Sequence, residues 1–292
     1  MNSSWRLVLM LSLSACGVGT SPTGDAGSFD GGVTADGGVM ADGGTASRCT
    51  VTTDLVHCDF QRTAFDGGGV TRDVYFETPT TPAPANGYPV VLMYQGSFFG
   101  PSNSWGDVPS SQPFGGYYQA RLQATLLAHG FTVIAPTAQN GLAWQTNLTL
   151  DWNTTQDKPF IDALIAAIGR GEFGPADTSR LFATGISSGG YMTSRMALSY
   201  QGVFRALAIN SASWATCGGA LCVLPASLPP MHPPTVFLHG RLDLTVPLNT
   251  AQAYESLLVT AGVPTDIIID DTAGHQWLSV APERVTQWFE TH

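Results

Sequence analysis

The stretch Gly185-Ile186-Ser187-Ser188-Gly189 has the G-x-S-x-G form, in which a serine sits on a turn so tight that its hydroxyl projects from the backbone. A serine hydroxyl is a poor nucleophile at its own pKa, so a base must take its proton and a third group must orient that base. Downstream, the apolar run Thr235-Val236-Phe237-Leu238 leads through His239 and Gly240 to Asp243. A second run, Asp266-Ile267-Ile268-Ile269, leads through a short polar loop to His275. Ser187 as nucleophile, Asp243 as acid and His275 as base would carry acyl transfer through a covalent intermediate. His239 is closer to Asp243 in sequence and is the rival base; at the end of an apolar run and before a glycine, it is expected to stiffen the acid's loop instead.

The tetrahedral intermediate of such a reaction needs two backbone N–H donors. One is expected at Ser188, directly after the nucleophile. The other should come from the loop Gln95-Gly96-Ser97-Phe98-Phe99-Gly100, where Gly96 and Ser97 both stand as candidates.

These groups need elements to hold them. Apolar runs at 70–76, 90–94, 132–135, 181–184, 206–210, 235–238 and 266–269 read as strands, most of them apolar throughout, as strands covered on both faces should be. Stretches of helical period fall at 117–129, 158–168, 188–200, 250–261 and 282–291, with Asp157 and Pro282 as start signals. The alternation predicts an α/β fold, a mostly parallel central sheet flanked by helices. The strand at 181–184 and the helix at 188–200 bracket Ser187, giving the strand-turn-helix setting that the motif requires.

Of 292 residues 43% are hydrophobic, enough for one large core, and the formal net charge is −10. With no cluster of Lys and Arg, the chain has no electrostatic footprint for nucleic acid or for an anionic membrane surface. A neutral or cationic small substrate fits better.

Arg6, the apolar stretch 7–13 and the small residues Ser14 and Ala15 read as an export signal, too short to span a bilayer. Leu13-Ser14-Ala15-Cys16 resembles the bacterial lipobox, which implies cleavage before Cys16 and lipidation of its thiol. Residues 16–47 are rich in Gly, Asp, Ala, Ser and Thr and form a flexible acidic tether, leaving 48–292 as the catalytic domain. The expected location is the cell envelope or the extracellular space, with the membrane touched only through the lipid. The remaining four cysteines, in an exported chain, point to disulfides, and of three connectivities the local pairs Cys49–Cys58 and Cys217–Cys222 are favoured. Zinc is disfavoured because no histidine stands at ligand spacing beside Cys217 and Cys222.

Three segments, Ala183-Thr184-Gly185-Ile186-Ser187-Ser188-Gly189-Gly190-Tyr191-Met192, His239-Gly240-x-x-Asp243-x-x-Val246-Pro247 and Gly274-His275-x-Trp277, carry a resemblance. They resemble the polyhydroxybutyrate depolymerase and feruloyl esterase group of α/β-hydrolases, over nearly all of 48–292. The resemblance implies the α/β-hydrolase fold, the triad Ser187, Asp243 and His275, and Ser188 as first oxyanion donor. Gln95 stands where that group has a histidine, and the group's pattern favours Ser97 as the second donor. The group's paired-cysteine insert matches Cys217 and Cys222. Among the aromatics, Trp277, Phe98 and Trp214 are the expected substrate contacts.

The implied activity is a secreted serine carboxylic-ester hydrolase, poly(3-hydroxybutyrate) or a related polyester first, feruloyl, acetyl-xylan or general short-chain esters next. A serine peptidase, or a surface binding protein that has lost activity, are the readings from other classes. No metal or organic cofactor is needed.

Overall fold

Uninterrupted apolar runs ask for strands covered on both faces, and Tyr88–Tyr94, buried at every residue, is the clearest of them. The computed structural model describes residues 47–149 and 151–292. The chain runs β1 (Cys49–Val51), β2 (Leu55–Cys58), β3 (Gln61–Gly67), β4 (Val70–Glu77), β5 (Tyr88–Tyr94) and β6 (Gly106–Pro109), then α1 (Gly116–Ala128) and β7 (Thr132–Pro136). It continues through α2 (Asp157–Gly169), β8 (Ala176–Ile186), α3 (Ser188–Ser199), β9 (Phe204–Asn210), β10 (Thr235–Gly240), α4 (Leu248–Thr260), β11 (Thr265–Asp270) and α5 (Ala281–Thr291).

The main sheet has eight strands in the order β11-β10-β9-β8-β5-β7-β4-β3. Pairings from β11 to β7 are parallel, and β4 joins β7 and β3 antiparallel. Successive side chains of a strand point to opposite faces, so β5 serves two cores. Val91 and Met93 pack with Leu122 and Leu126 of α1 and Val285 and Phe289 of α5. Val90, Leu92 and Tyr94 pack with Phe160 and Leu164 of α2 and Met192 and Met196 of α3. α4 closes the far end through Ala251, Tyr254 and Leu258 against Ile209 and Phe237. Truncating one such side chain, Leu92→Ala, would cost about 2–5 kcal/mol.

All seven expected strands and all five expected helices are present, and four strands are additional among the described residues. β1, β2 and β6 form a small antiparallel sheet in which Cys49 faces Cys58 and is disulfide-bonded to it. The second expected disulfide, Cys217–Cys222, is also present. Asp157 begins α2 as expected and does more than start it. Its carboxylate pairs with Arg72 of β4 at 2.6 Å, both side chains being buried, and accepts the Gln145 N–H at 2.5 Å. Arg72 also lies over the Phe160 ring, 4.3 Å from its centroid. Removing one partner of such a buried pair would cost about 3–5 kcal/mol.

The described residues form one compact unit. The export signal, Cys16 and the tether as far as residue 46 lie outside the described residues. Among the described residues no helix is long and apolar enough to cross a membrane.

Candidate active site

The candidate groups gather where the parallel strands end at their carboxyl edge, the edge at which open α/β sheets place their ligands. Ser187 lies between β8 and α3 with φ 55° and ψ −123°, outside the regions an L-residue ordinarily takes. The turn is held by the Ser187 N–H, which donates to Asn210 O at 3.0 Å. Gly189 is required by close approach, since a Cβ there would stand 2.1 Å from Tyr94 O and 2.5 Å from Gln95 O.

Asp243 and His275 come from the turns after β10 and β11. Those turns are joined by backbone hydrogen bonds from Arg241 N–H to Asp270 O, 2.8 Å, and from Leu242 N–H to Ala273 O, 2.9 Å. Gly240 permits the contact, because a Cβ would lie 2.3 Å from both Ala273 O and Gly274 O. Asp270 Oδ1 folds the histidine turn by accepting the N–H groups of Thr272 and Ala273 at 2.9 and 3.0 Å. The two side chains then meet, His275 Nδ1 lying 2.7 Å from Asp243 Oδ2. Asp243 Oδ1 accepts the N–H groups of Thr245 and Val246 at 2.9 and 2.8 Å. Burial works against ionisation of Asp243, yet His275 and the Val246 N–H outweigh it and hold the carboxyl below the usual carboxylate range.

β9 ties the serine turn to the histidine turn. Asn210 receives the Ser187 N–H, and the next residue, Ser211, donates its hydroxyl to Gln276 O at 3.2 Å. His239, the rival base, is wholly buried and gives its Nε2–H to Val246 O at 2.8 Å. Burial lowers its pKa.

Ser97, Ser187 and Ser188 line one cavity of about 270 Å³, with Trp144, Tyr191 and Val246 among its other walls. A wider cleft of about 560 Å³ lies along β3, lined by Arg62, Asp66 and Arg170, and none of the candidate groups borders it. In the loop after β5, Gly96 is bridge-paired with Phe99, and the Phe98 N–H donates to Leu142 O at 2.7 Å. Those pairings leave Ser97 as the member of the loop that borders the cavity.

Gln95, standing in the place of the expected histidine, is buried and braces this loop. Its Oε1 accepts the Ala138 N–H at 2.9 Å and its Nε2 donates to Gly141 O at 3.2 Å. Trp144 adds a second brace, its N–H donating to Ser188 Oγ at 2.9 Å and its Nε1–H to Gln95 O at 3.2 Å.

Two of the three expected substrate contacts are corrected. Trp277 is 1% exposed and packs in the core beneath α1 and α5, and Trp214 is 3% exposed and meets Tyr254 edge-on. The loop at 273–277 is not a strand, so two-residue spacing from His275 does not return Trp277 to the cleft. Phe98 does face solvent, at 72% exposure. Sequence reasoning missed Phe114, whose ring centroid is 6.4 Å from that of His275 and 4.9 Å from that of Phe99. Among the described residues no group of three or more His, Cys, Asp or Glu could hold a metal ion.

Fold and site geometry together define an α/β-hydrolase. The prolyl oligopeptidase family matches residues 118–216, a span that includes the serine turn. An acetyl xylan esterase from Aspergillus awamori superposes with TM-score 0.56 at 18% identity, over 80% of this chain and 100% of that one. A puromycin-hydrolysing peptidase of Mycobacterium tuberculosis gives TM-score 0.57 at 19% identity, over 80% of this chain and 39% of that one. In sequence the chain is 47% identical over 241 residues to a poly(3-hydroxyoctanoate) depolymerase of Pseudomonas fluorescens, covering 81% of this chain and 86% of that protein. The chain belongs to that depolymerase's family and is a serine hydrolase.

Proposed function

We propose that the protein hydrolyses the ester bonds of a poly(3-hydroxyalkanoate), forming an acyl-enzyme on Ser187. The observation that carries this reading is the Asp243–His275 contact of 2.7 Å, built on the sheet edge that also holds the strained Ser187. The Asp243 carboxylate accepts from Nδ1–H, which leaves Nε2 as the basic nitrogen. Nε2 takes the Ser187 proton as Oγ bonds to the ester carbonyl carbon, and Asp243 steadies the imidazolium that forms. The N–H groups of Ser188 and Ser97 hold the oxyanion. The carbonyl re-forms, the alcohol leaves with the proton from His275, and water then repeats the sequence to free the acid and restore Ser187.

The motifs alone point to poly(3-hydroxybutyrate), while the relative at 47% identity is named for a polymer with longer side chains. The cavity of about 270 Å³ beside Ser187 is where the acyl unit would enter. Export belongs to the same reading, supported by the two disulfides, and a lipid on Cys16 is proposed from the sequence around it. The test is clearing of poly(3-hydroxybutyrate) and poly(3-hydroxyoctanoate) suspensions, with a nitrophenyl ester and a peptide as further substrates, by the wild type and Ser187→Ala. Clearing of the longer-chain polymer by the wild type alone is expected. Equal rates in both proteins would remove Ser187 as nucleophile, and cleavage of the peptide alone would replace the ester reading.

A further inference from the structure

We infer that Phe114 and Phe99 form the subsite for the alcohol side of the ester, the part that leaves first, while the open cavity beside Ser187 takes the acyl side. The inference rests on the triad roles proposed above. The leaving oxygen receives its proton from His275, so whatever is attached to that oxygen must lie on the histidine's side of the scissile bond. Phe114 stands there, its ring edge-on to the imidazole with centroids 6.4 Å apart and edge-on to Phe99 at 4.9 Å. The cavity is bordered by Ser187 and the expected oxyanion donors Ser97 and Ser188, and neither Phe114 nor any residue of the 273–277 loop lines it.

The backbone at Phe114 supports a role beyond packing. Its φ is 56°, a left-handed conformation that a bulky residue seldom adopts and that costs on the order of 1–3 kcal/mol. The ring recovers little of that by burial, since Phe114 is 50% exposed. What holds the conformation is the histidine loop, through the Trp277 N–H donating to Phe114 O at 2.9 Å. Because Trp277 is anchored in the core, the backbone that carries the phenyl ring is fixed relative to the histidine loop. A fixed, half-exposed aromatic face beside the proton donor suits an apolar alcohol segment, such as the next unit of an aliphatic polyester.

The test uses the full chain with two ester series. In the first the acyl group is butanoyl and the alcohol runs from methyl to hexyl; in the second the alcohol is nitrophenol and the acyl group runs from acetyl to octanoyl. Phe114→Ala is expected to lower kcat/KM for the hexyl ester relative to the methyl ester by about 10-fold, the scale of one aromatic contact. Phe114→Leu should restore most of that ratio, and the acyl preference should keep its order. Ala143→Leu, which fills the cavity, should do the reverse, compressing the acyl series and sparing the alcohol ratio. Parallel losses in both series, no change in either, or a change confined to the acyl series would overturn the assignment. If Phe114→Ala does not fold, Phe99→Ala is put through the same two series, and a selective loss on the hexyl ester supports the subsite while any other pattern overturns it. Failure of a fluorophosphonate to label Ser187 in the wild type would instead sink the triad roles, so the two failures are separable.

Discussion

Replacing Asp243 by Asn keeps the size of the side chain and removes one charge and one acceptor. Its effect follows from the three atoms hydrogen-bonded to it. Oδ1 accepts N–H bonds from Thr245 at 2.9 Å and from Val246 at 2.8 Å, and these backbone groups can only donate. The amide oxygen of Asn must therefore take that side, which turns its NH2 toward His275 Nδ1, now 2.7 Å from Oδ2. Nδ1 then has to accept, the imidazole proton moves to Nε2, and the nitrogen needed to receive the Ser187 proton is already protonated. The carboxylate charge that would stabilise the imidazolium is lost as well. Together these changes should lower kcat by about 10⁴-fold, or about 5 kcal/mol, the magnitude found when a Ser-His-Asp triad is altered in this way. The variant should fold, because a neutral amide is cheaper to bury than a carboxylate. The assay is steady-state hydrolysis of a nitrophenyl ester between about pH 6 and 9, with thermal unfolding in parallel. A folded variant with kcat within about tenfold of the wild type would refute the reasoning that Asp243 sets the tautomer of His275.

Four further outcomes are expected. Gly189→Ala places a Cβ 2.1 Å from Tyr94 O, which should cost about 3 kcal/mol or more and appear as a lower denaturant midpoint; an unchanged midpoint would contradict the packing described. Ser188→Ala leaves the buried Trp144 N–H without its acceptor and should lower stability by about 1–3 kcal/mol, whereas Trp144→Phe, which keeps that N–H but loses the indole bond to Gln95 O, should loosen the oxyanion loop and lower kcat more than it raises KM. His232 is buried with Nδ1 donating to Pro233 O and Nε2 facing the Tyr254 hydroxyl at 2.6 Å, and burial lowers its pKa from 6.5 to about 4. The unfolded state therefore binds more protons between those values, so stability is full above pH 6.5 and falls as the pH drops toward about 4, by at most about 3 kcal/mol. In His232→Gln that acid loss should shrink, as read from unfolding midpoints at about pH 7 and 4.5, and an unaltered slope would refute it.

The parts of the fold that were legible are those whose burial is written into consecutive residues. β5, β7, β9 and β10 are buried along all or nearly all of their length, so a plain apolar run announces them. β3, with the sequence QRTAFDG, is one of the sheet's two outer strands and is exposed at most positions, and polar residues conceal it. β2 and β6 pair residues about fifty positions apart, His57 with Asp107, so neither carries a local sign of the other. The candidate site divides in the same way. The serine turn and Asp243 follow strands buried where they end, His275 follows the half-buried but apolar β11, and position at a strand end is a local property. The braces and the aromatic shelf depend on distant partners, Trp144 with Ser188, Gln95 with Ala138 and Phe114 with His275. Gln95 was visible only as a departure from a family pattern; its use as a brace required the fold.

The two histidines beside Asp243 show how burial separates roles that sequence distance would have assigned the other way. His239 Nε2 is 3.5 Å from Asp243 Oδ2, and both side chains are wholly buried. Its Nε2–H is held by Val246 O, on the residue whose N–H holds Asp243 Oδ1, so His239 fixes the acid loop from beneath. Burial keeps it neutral, which matters because a second cation there would compete with His275 for the one carboxylate. His275 makes the shorter contact, 2.7 Å, and keeps 14% of its side chain exposed at the sheet edge. Of the two, only His275 combines contact with the acid and access to a substrate, and that pairing of properties is what a general base requires.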